Sequence, residues 1–386
     1  MKKLLIIGMA DSVHLANWLQ NMSSLPFEVT LVSSSPHRRV HPKIVELMGP
    51  SNQGVMRLNM TNWSMRFGLL LWMVDRLLGE RLRGLLVRNL IRTLKPDLIH
   101  VVEFQHAGYI LLQALSKPMT RQRPKIMSSN YGSDIYWFQR FSRHKSKISA
   151  LLRMSDFYTS ECQRDIALAK ELGFIGTSAL LPNTGGVSEV ALRQQKQAPM
   201  ASERKLLLLK GYHNKFGQAL QGVGSLLRMR KRLEGFEIIS VSTNVITALS
   251  LVLLRMFTGL KISFHLKGSL SNPEVLSLMG RARIYIGLSK SDGISTSLLE
   301  AMAMGAFPIQ TGTSCAAEWI DHGAAGAIVS LKDKEQLDFW LQKALSEDIL
   351  VNNAQVLNDL TIRSRYTKSV MTSKVENLYL ETLSDS

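Results

Sequence analysis

Residues 289–311 read SKSDGISTSLLEAMAMGAFPIQT. They follow an apolar, β-prone run, Ile284-Tyr285-Ile286-Gly287-Leu288, of the length expected for a buried strand. A polar Ser/Lys/Asp/Gly turn comes next. Then Leu298-Leu299-Glu300-Ala301-Met302-Ala303-Met304 forms a run of strong helix formers closed by Gly305, and Pro308-Ile309 opens another strand. This pattern predicts a strand–turn–helix unit of a parallel sheet. The helix N-terminus in such a unit offers unpaired backbone N–H groups and a positive dipole end to an anion. Ser295, Thr296 and Ser297 stand where the helix cap belongs, and their hydroxyls can add donors for a phosphate. Two carboxylates flank the turn, Asp292 before it and Glu300 two helical turns in, with seven residues between. A solvated Asp and a surface Glu on an ordinary βα turn would give the same local spacing.

Outward from this stretch, strand-like and helical runs alternate along the whole chain. The strand-like ones are Leu4–Ile7, Phe27–Val32, Asp97–Val102, Lys125–Ser128, Lys205–Leu209, Glu237–Val241, Lys261–Phe264, Arg283–Leu288 and Ala306–Gln310. Such alternation predicts an α/β architecture with parallel sheets. The rhythm breaks around Leu181–Gly186 and the polar stretch Arg193–Arg204, where we expect the connection between two halves. A dinucleotide-binding Rossmann domain is excluded for the first half. It needs three glycines in Gly-x-Gly-x-x-Gly after the first strand, and Gly8-Met9-Ala10-Asp11-Ser12-Val13 supplies one.

Composition narrows the partners. With 386 residues the chain is long for a single core. Lys and Arg number 47 against 30 Asp and Glu, a net charge of +17 that favours nucleotides, nucleic acid or an anionic membrane face. No aromatic-basic recognition motif supports nucleic acid, so none is expected. Cys162 and Cys315 stand far apart and fit a reducing compartment. The basic, briefly apolar start is interrupted by Asp11 and His14 and reads as a first strand rather than a signal peptide. A cytoplasmic protein without a membrane-spanning helix is expected. Residues 62–95 differ in kind. Leu, Trp, Phe, Met and Val are interleaved there with Arg66, Arg76, Arg81, Arg83, Arg88, Arg92 and Lys95, opposed only by Asp75 and Glu80. This is a basic amphipathic helix pair suited to an anionic bilayer surface, or else a core-facing pair with snorkelling arginines.

The run from Asp292 to Gly305, an acid and a Glu separated by seven residues and followed by Ala-Met-Ala and a Gly, resembles the donor-binding signature of retaining GT-B glycosyltransferases of the GT4 type. That resemblance implies two Rossmann-like α/β domains facing a cleft. Residues 1–186 would bind the acceptor and 187–365 the nucleotide sugar, with 366–386 a helix crossing back to the first domain. It implies that Asp292 contacts the donor sugar, that Glu300 holds the ribose hydroxyls, and that amides near Gly293, Ile294, Ser295, Thr296 and Ser297 receive the diphosphate. Asp in place of the family's usual first Glu gives a shorter arm.

In the first half, Asp11-Ser12-Val13-His14-Leu15-Ala16-Asn17-Trp18 is similar to the opening of some bacterial surface-polysaccharide transferases and marks Ser12 and His14 as acceptor-binding. His100-Val101-Val102-Glu103-Phe104-Gln105-His106 resembles a His-x-His-Glu segment. Glu103 and His106 would orient an acceptor or assist proton removal, or serve as structural hydrogen bonders. Tyr131-Gly132-Ser133-Asp134 resembles a His-Gly-Ser-Asp segment with Tyr131 in the histidine position, leaving Asp134 as the matched polar group. In the second half, the family's Gly-Arg and later Lys correspond to Gly211 and a tyrosine, Tyr212; Lys210 and Lys215 are the cations expected to meet the leaving diphosphate. Lys267 and Gly268 match the segment around the base.

The reading is therefore a glycosyltransferase moving a sugar from a UDP- or GDP-linked donor to a glycan or lipid-linked glycan acceptor in bacterial surface-polysaccharide assembly. No metal and no cofactor beyond the donor are expected, and the enzyme would lie on the inner face of the cell membrane through residues 62–95. The rivals are a sugar-nucleotide epimerase of the same fold and a non-enzymatic basic membrane- or nucleic-acid-binding protein.

Overall fold

The computed structural model describes residues 1–49, 55–61, 68–117, 123–182, 185–195 and 198–384. Residues 62–67, with Arg66, and Asn183-Thr184 of the expected connection lie outside them. The chain folds as two compact units, Met1–Gly185 with Met371–Ser386, and Gly186–Val370.

The first unit is built on a seven-stranded parallel sheet. Its strands are β1 (Lys2–Gly8), β2 (Phe27–Ser33), β3 (Arg57–Met60), β4 (Leu98–Val102), β5 (Lys125–Ser129), β6 (Phe157–Ser160) and β7 (Thr177–Leu180). They lie in the order β3-β2-β1-β4-β5-β6-β7. The helices of this half are α1 (Val13–Asn21), α2 (Pro42–Met48), α3 (Gly68–Leu77), α4 (Arg81–Leu94), α5 (Tyr109–Ala114), α6 (Ser142–Met154) and α7 (Gln163–Glu171). The second unit begins with α8 (Glu189–Gln195). Its six-stranded parallel sheet runs β10-β9-β8-β11-β12-β13, from β8 (Leu206–Lys210), β9 (Glu237–Thr243), β10 (Lys261–Leu266), β11 (Ala282–Gly287), β12 (Phe307–Thr311) and β13 (Ala327–Val329). The sheet is joined by α9 (Ala219–Arg228), α10 (Val245–Thr258), α11 (Asn272–Arg281), α12 (Thr296–Ala303), α13 (Lys334–Ser346) and α14 (Asp348–Arg365). A final helix, α15 (Lys368–Ser384), places Met371 onward in the first unit.

Sheets covered on both faces need strands that are apolar throughout. Accordingly β4 (LIHVV) and β11 (ARIYIG) are buried at every residue, with His100 and Arg283 the exceptions to an otherwise apolar pattern that the sequence shows. β3, β7 and β13 escape that reading because they are short, edge-lying or partly polar. Tyr379 of α15 is buried against the first sheet. Its hydroxyl accepts from Trp18 Nε1 at 2.9 Å and lies 2.7 Å from His100 Nδ1.

Three expectations are corrected. Arg193–Arg204 is not a connection: Ala201 and Arg204 are buried, and the amides of Ala201 and Ser202 donate to Gln355 and Asn352 of α14 at 2.8 and 3.0 Å. Glu300 is the fifth residue of α12, one turn in rather than two, because the helix starts at Thr296. In the α3–α4 pair, Arg83 and Arg88 turn inward instead of toward a bilayer. Arg83 pairs with fully buried Asp75 and donates to Ser34 O at 2.7 Å, and Arg88 donates to the carbonyls of Ala114 and Lys117. Among the described residues, no helix is long and apolar enough to cross a membrane.

Candidate active site

In an open parallel sheet, ligands bind beyond the carboxyl ends of the strands, where the strand order reverses. In the second unit that point lies between β8 and β11. Two loops leave there, Gly211–Gln218 after β8 and Leu288–Ser295 after β11, and they are tied together. Gln218 N donates to Leu288 O at 2.9 Å, and Lys290 N to Phe216 O at 2.8 Å.

Lys210, the last residue of β8, reaches across: its Nζ lies 3.2 Å from Ser295 Oγ. Ser295 is the N-cap residue of α12, yet its hydroxyl does not cap the helix. It faces Lys210 and Ser297 Oγ (3.1 Å), and Ser297 accepts from the Tyr285 hydroxyl at 3.0 Å. The helical ladder begins with Leu298 and Leu299, whose amides donate to Ser295 O at 2.9 and 3.2 Å. The amides of Thr296 and Ser297 precede it, so a cation and a helix dipole converge on one spot. Gly211 is required beside it. A Cβ there would stand 2.3 Å from Ser240 Oγ and 2.9 Å from Thr243 Cα. At the far end of α12, Gly305 adopts φ +74 as the chain turns out of the helix.

Glu300 lies one turn along α12, half-buried, its Oε1 accepting from Asn272 Nδ2 at 2.7 Å. Burial pushes its carboxyl up to about 7, while the Asn272 hydrogen bond and the Lys210 charge hold that rise back. Asp292 is half-buried and accepts from the Gly293 amide at 3.0 Å, with Ile294 buried next to it. The remaining cations are less closely gathered. Lys215 is exposed with its ammonium over Phe216, and Lys267 is exposed with its ammonium 5.6 Å from the centre of the Tyr212 ring, beside exposed Gly268. Asn272 and Tyr285 were not singled out in the sequence. Asn272 reads there only as the residue before Pro273 at a helix start, and Tyr285 as one more apolar strand residue.

In the first unit the order reverses between β1 and β4. Loops from β1, β4 and β5 gather there. Ser12 caps α1 by accepting from His14 N at 3.2 Å, and the His14 ring lies 5.6 Å from the Tyr131 ring. The Tyr131 hydroxyl is buried without a hydrogen-bond partner among the described residues, and burial raises its pKa. Asp134 and Glu103 are both buried, and each accepts from backbone amides. Asp134 Oδ2 accepts from Phe104 N and Tyr131 N at 3.0 and 2.9 Å; Glu103 accepts from His106 N and Ala107 N at 2.5 and 3.3 Å. Burial lifts Asp134 to about 7 and Glu103 well above the usual carboxylate range, the latter further by Asp134 beside it. Burial, with Arg76, Arg83 and Arg38 nearby, holds His106 down to about 4. That leaves the His106 imidazole neutral near pH 7.

The comparisons with known proteins divide along the same lines. Residues 3–160 match the model described as Glycosyl transferase 4-like, and residues 250–356 match Glycosyl transferases group 1. Both matches are to models of glycosyltransferases. No curated protein matches this glycosyltransferase by sequence at a significant level. Solved structures show that its fold is the GT-B class. A Rickettsia africae glycosyltransferase is 15% identical with a TM-score of 0.71, over 100% of this chain and 99% of the other. An α,α-trehalose-phosphate synthase from Burkholderia vietnamiensis is 12% identical with a TM-score of 0.72, over 100% of both chains. Anabaena HepE, solved in complex with UDP-glucose, is 13% identical with a TM-score of 0.62, again over 100% of both.

Proposed function

We propose that this glycosyltransferase moves a sugar, with retention, from a UDP- or GDP-linked donor to a glycan or lipid-linked glycan acceptor in bacterial surface-polysaccharide assembly. One observation carries the donor half: Lys210 Nζ lies 3.2 Å from Ser295 Oγ at the head of α12, with Glu300 one turn away. A diphosphate at this position would meet the ammonium and the amides of Thr296 and Ser297, with Lys215 adding charge from the loop. Glu300 would accept from the ribose hydroxyls and Asp292 from the sugar. As the sugar–phosphate bond breaks, negative charge grows on the diphosphate oxygen, and Lys210 and the helix dipole stabilise it where it forms. The bound UDP-glucose of HepE, a relative in fold, supports this class of donor.

The acceptor would lie against Ser12, His14 and Tyr131, whose buried hydroxyl lacks a partner among the described residues. Asp134 and Glu103 would hold those loops through the backbone. The exposed apolar side chains of α3 and α4, Leu69, Leu70, Met73, Leu77 and Leu85, beside exposed Arg76 and Arg81, would rest on an anionic membrane. The test is a thermal-shift panel of UDP-, GDP-, ADP- and dTDP-sugars on the wild type and on Lys210→Met. A stabilising UDP- or GDP-sugar whose effect shrinks in the variant supports the reading; no response to any nucleotide sugar refutes it.

A further inference from the structure

The longest uncovered apolar surface in the second unit belongs to α10. Thr247, Ala248, Leu251 and Leu254 face the core, as an amphipathic helix requires. The opposite face is apolar as well. Val245, Ile246, Leu249, Leu253, Met256 and Phe257 are between 53 and 80% exposed and recur at helical spacing, making one stripe along the whole helix. A water-facing helix surface has no reason to carry six large apolar side chains, and so long a stripe marks an interaction face.

Charge identifies what covers it. From Ile238 to Pro273 the chain contains no Asp or Glu, while Arg255, Lys261 and Lys267 are basic and exposed. Helix α9, which packs against α10, has no acidic residue either, and Arg230, Lys231 and Arg232 follow it. Among the described residues, Lys261 pairs with Glu237 at 3.9 Å and exposed Glu234 follows Arg232, leaving the rim with a net excess of cations. An isologous dimer on this face would bring together two rims on which basic residues outnumber acidic ones. An anionic bilayer satisfies both features: the apolar stripe enters the acyl boundary and the rim meets lipid phosphates.

We infer that α10 is a membrane-docking helix that lies in the surface of an anionic bilayer. Its N-cap Asn244 also holds the loop after β8, by donating to His213 O, so the docked helix starts at the donor loop. The contact is separate from the one proposed for α3 and α4 and does not depend on the identity of the donor.

The experiment uses the full chain with Met256→Cys carrying an environment-sensitive fluorophore; the native cysteines are buried. Vesicles of phosphatidylcholine with about one third phosphatidylglycerol should shift the emission to the blue and raise its intensity. Phosphatidylcholine alone should not. Adding Leu249→Glu and Leu253→Glu, both at exposed positions, should cut the response at least tenfold without changing the circular dichroism. A fluorophore that stays in water while the protein floats with the vesicles overturns the inference, since α3 and α4 then do the docking alone. A blue shift that grows with protein concentration and needs no vesicles overturns it in favour of a second copy.

Discussion

Glu300→Gln tests the donor pocket most directly. The amide keeps an oxygen for Asn272 Nδ2, now at 2.7 Å, so the local structure should hold. What is lost is a charge. Hydrogen bonds to a charged acceptor contribute about 1.5–3 kcal/mol, so losing one such bond to a ribose hydroxyl should weaken UDP or GDP about ten- to a hundredfold. The pH dependence follows from the Glu300 carboxyl lying near 7. It is about nine-tenths ionised at pH 8 and about one-tenth at pH 6, so wild-type affinity should fall with acidification. The variant should show only the titration of the nucleotide phosphate. Stability runs the other way. The folded pKa is raised above 4.5, so the native state holds the extra proton between about 4.5 and 7, and stability declines as the pH rises through that window. Above it, ionised Glu300 is a cost on the unliganded fold, and Glu300→Gln should raise the apo Tm at pH 8. Calorimetry at pH 6 and 8, with thermal melts alongside, reads both. Unchanged nucleotide affinity at pH 8, or equal pH slopes for the two proteins, would refute the assignment.

Four further outcomes are expected. Lys210→Met should lower kcat about 10²–10³-fold, as removal of one group stabilising a developing anion does, with a smaller change in donor KM in steady-state assays. Asp134→Asn should stay folded and active, because the amide still accepts from Phe104 and Tyr131; Asp134→Ala should lose about 1–3 kcal/mol for each abandoned amide in urea unfolding. A large activity loss in Asp134→Asn with intact stability would instead make its charge catalytic. Asp75→Ala, by leaving Arg83 buried and unpaired, should cost about 3–5 kcal/mol by the same measurement. Gly211→Ala should cost about 1–3 kcal/mol through the clash with Ser240 and Thr243, and should weaken the donor by displacing the loop after β8.

Much of the sheet was legible in the sequence because strands buried on both faces must be apolar from end to end, as in Leu206–Leu209 and Ile284–Ile286. The helix start at Ser295 was legible from its hydroxyls and the following Leu-Leu-Glu-Ala run, though not its first turn, which put Glu300 a turn too deep. Side-chain direction was less accessible. Nothing in the spacing of Arg83 separates it from Arg81; only the folded chain shows that one meets Asp75 in the core and the other water. Likewise Glu103 and Asp134 are carboxylates at the right strand ends, but that each accepts from two backbone amides depends on the loop path and on φ +84 at Glu103. Asn272 was invisible as a partner of Glu300 because it comes from a different helix, 28 residues away.

The placement of α15 has a consequence for how the protein is made. Met371, Val375, Leu378, Tyr379 and Leu383 complete the interior of the first unit, yet Gly186–Val370 must emerge before them. At about 5–20 residues per second, the ribosome needs on the order of 10–40 s to synthesise that intervening segment. During that interval Trp18 and His100 face solvent where Tyr379 will stand. The nascent first half is therefore expected to be a client of holding chaperones, and its final closure to be a post-synthetic event.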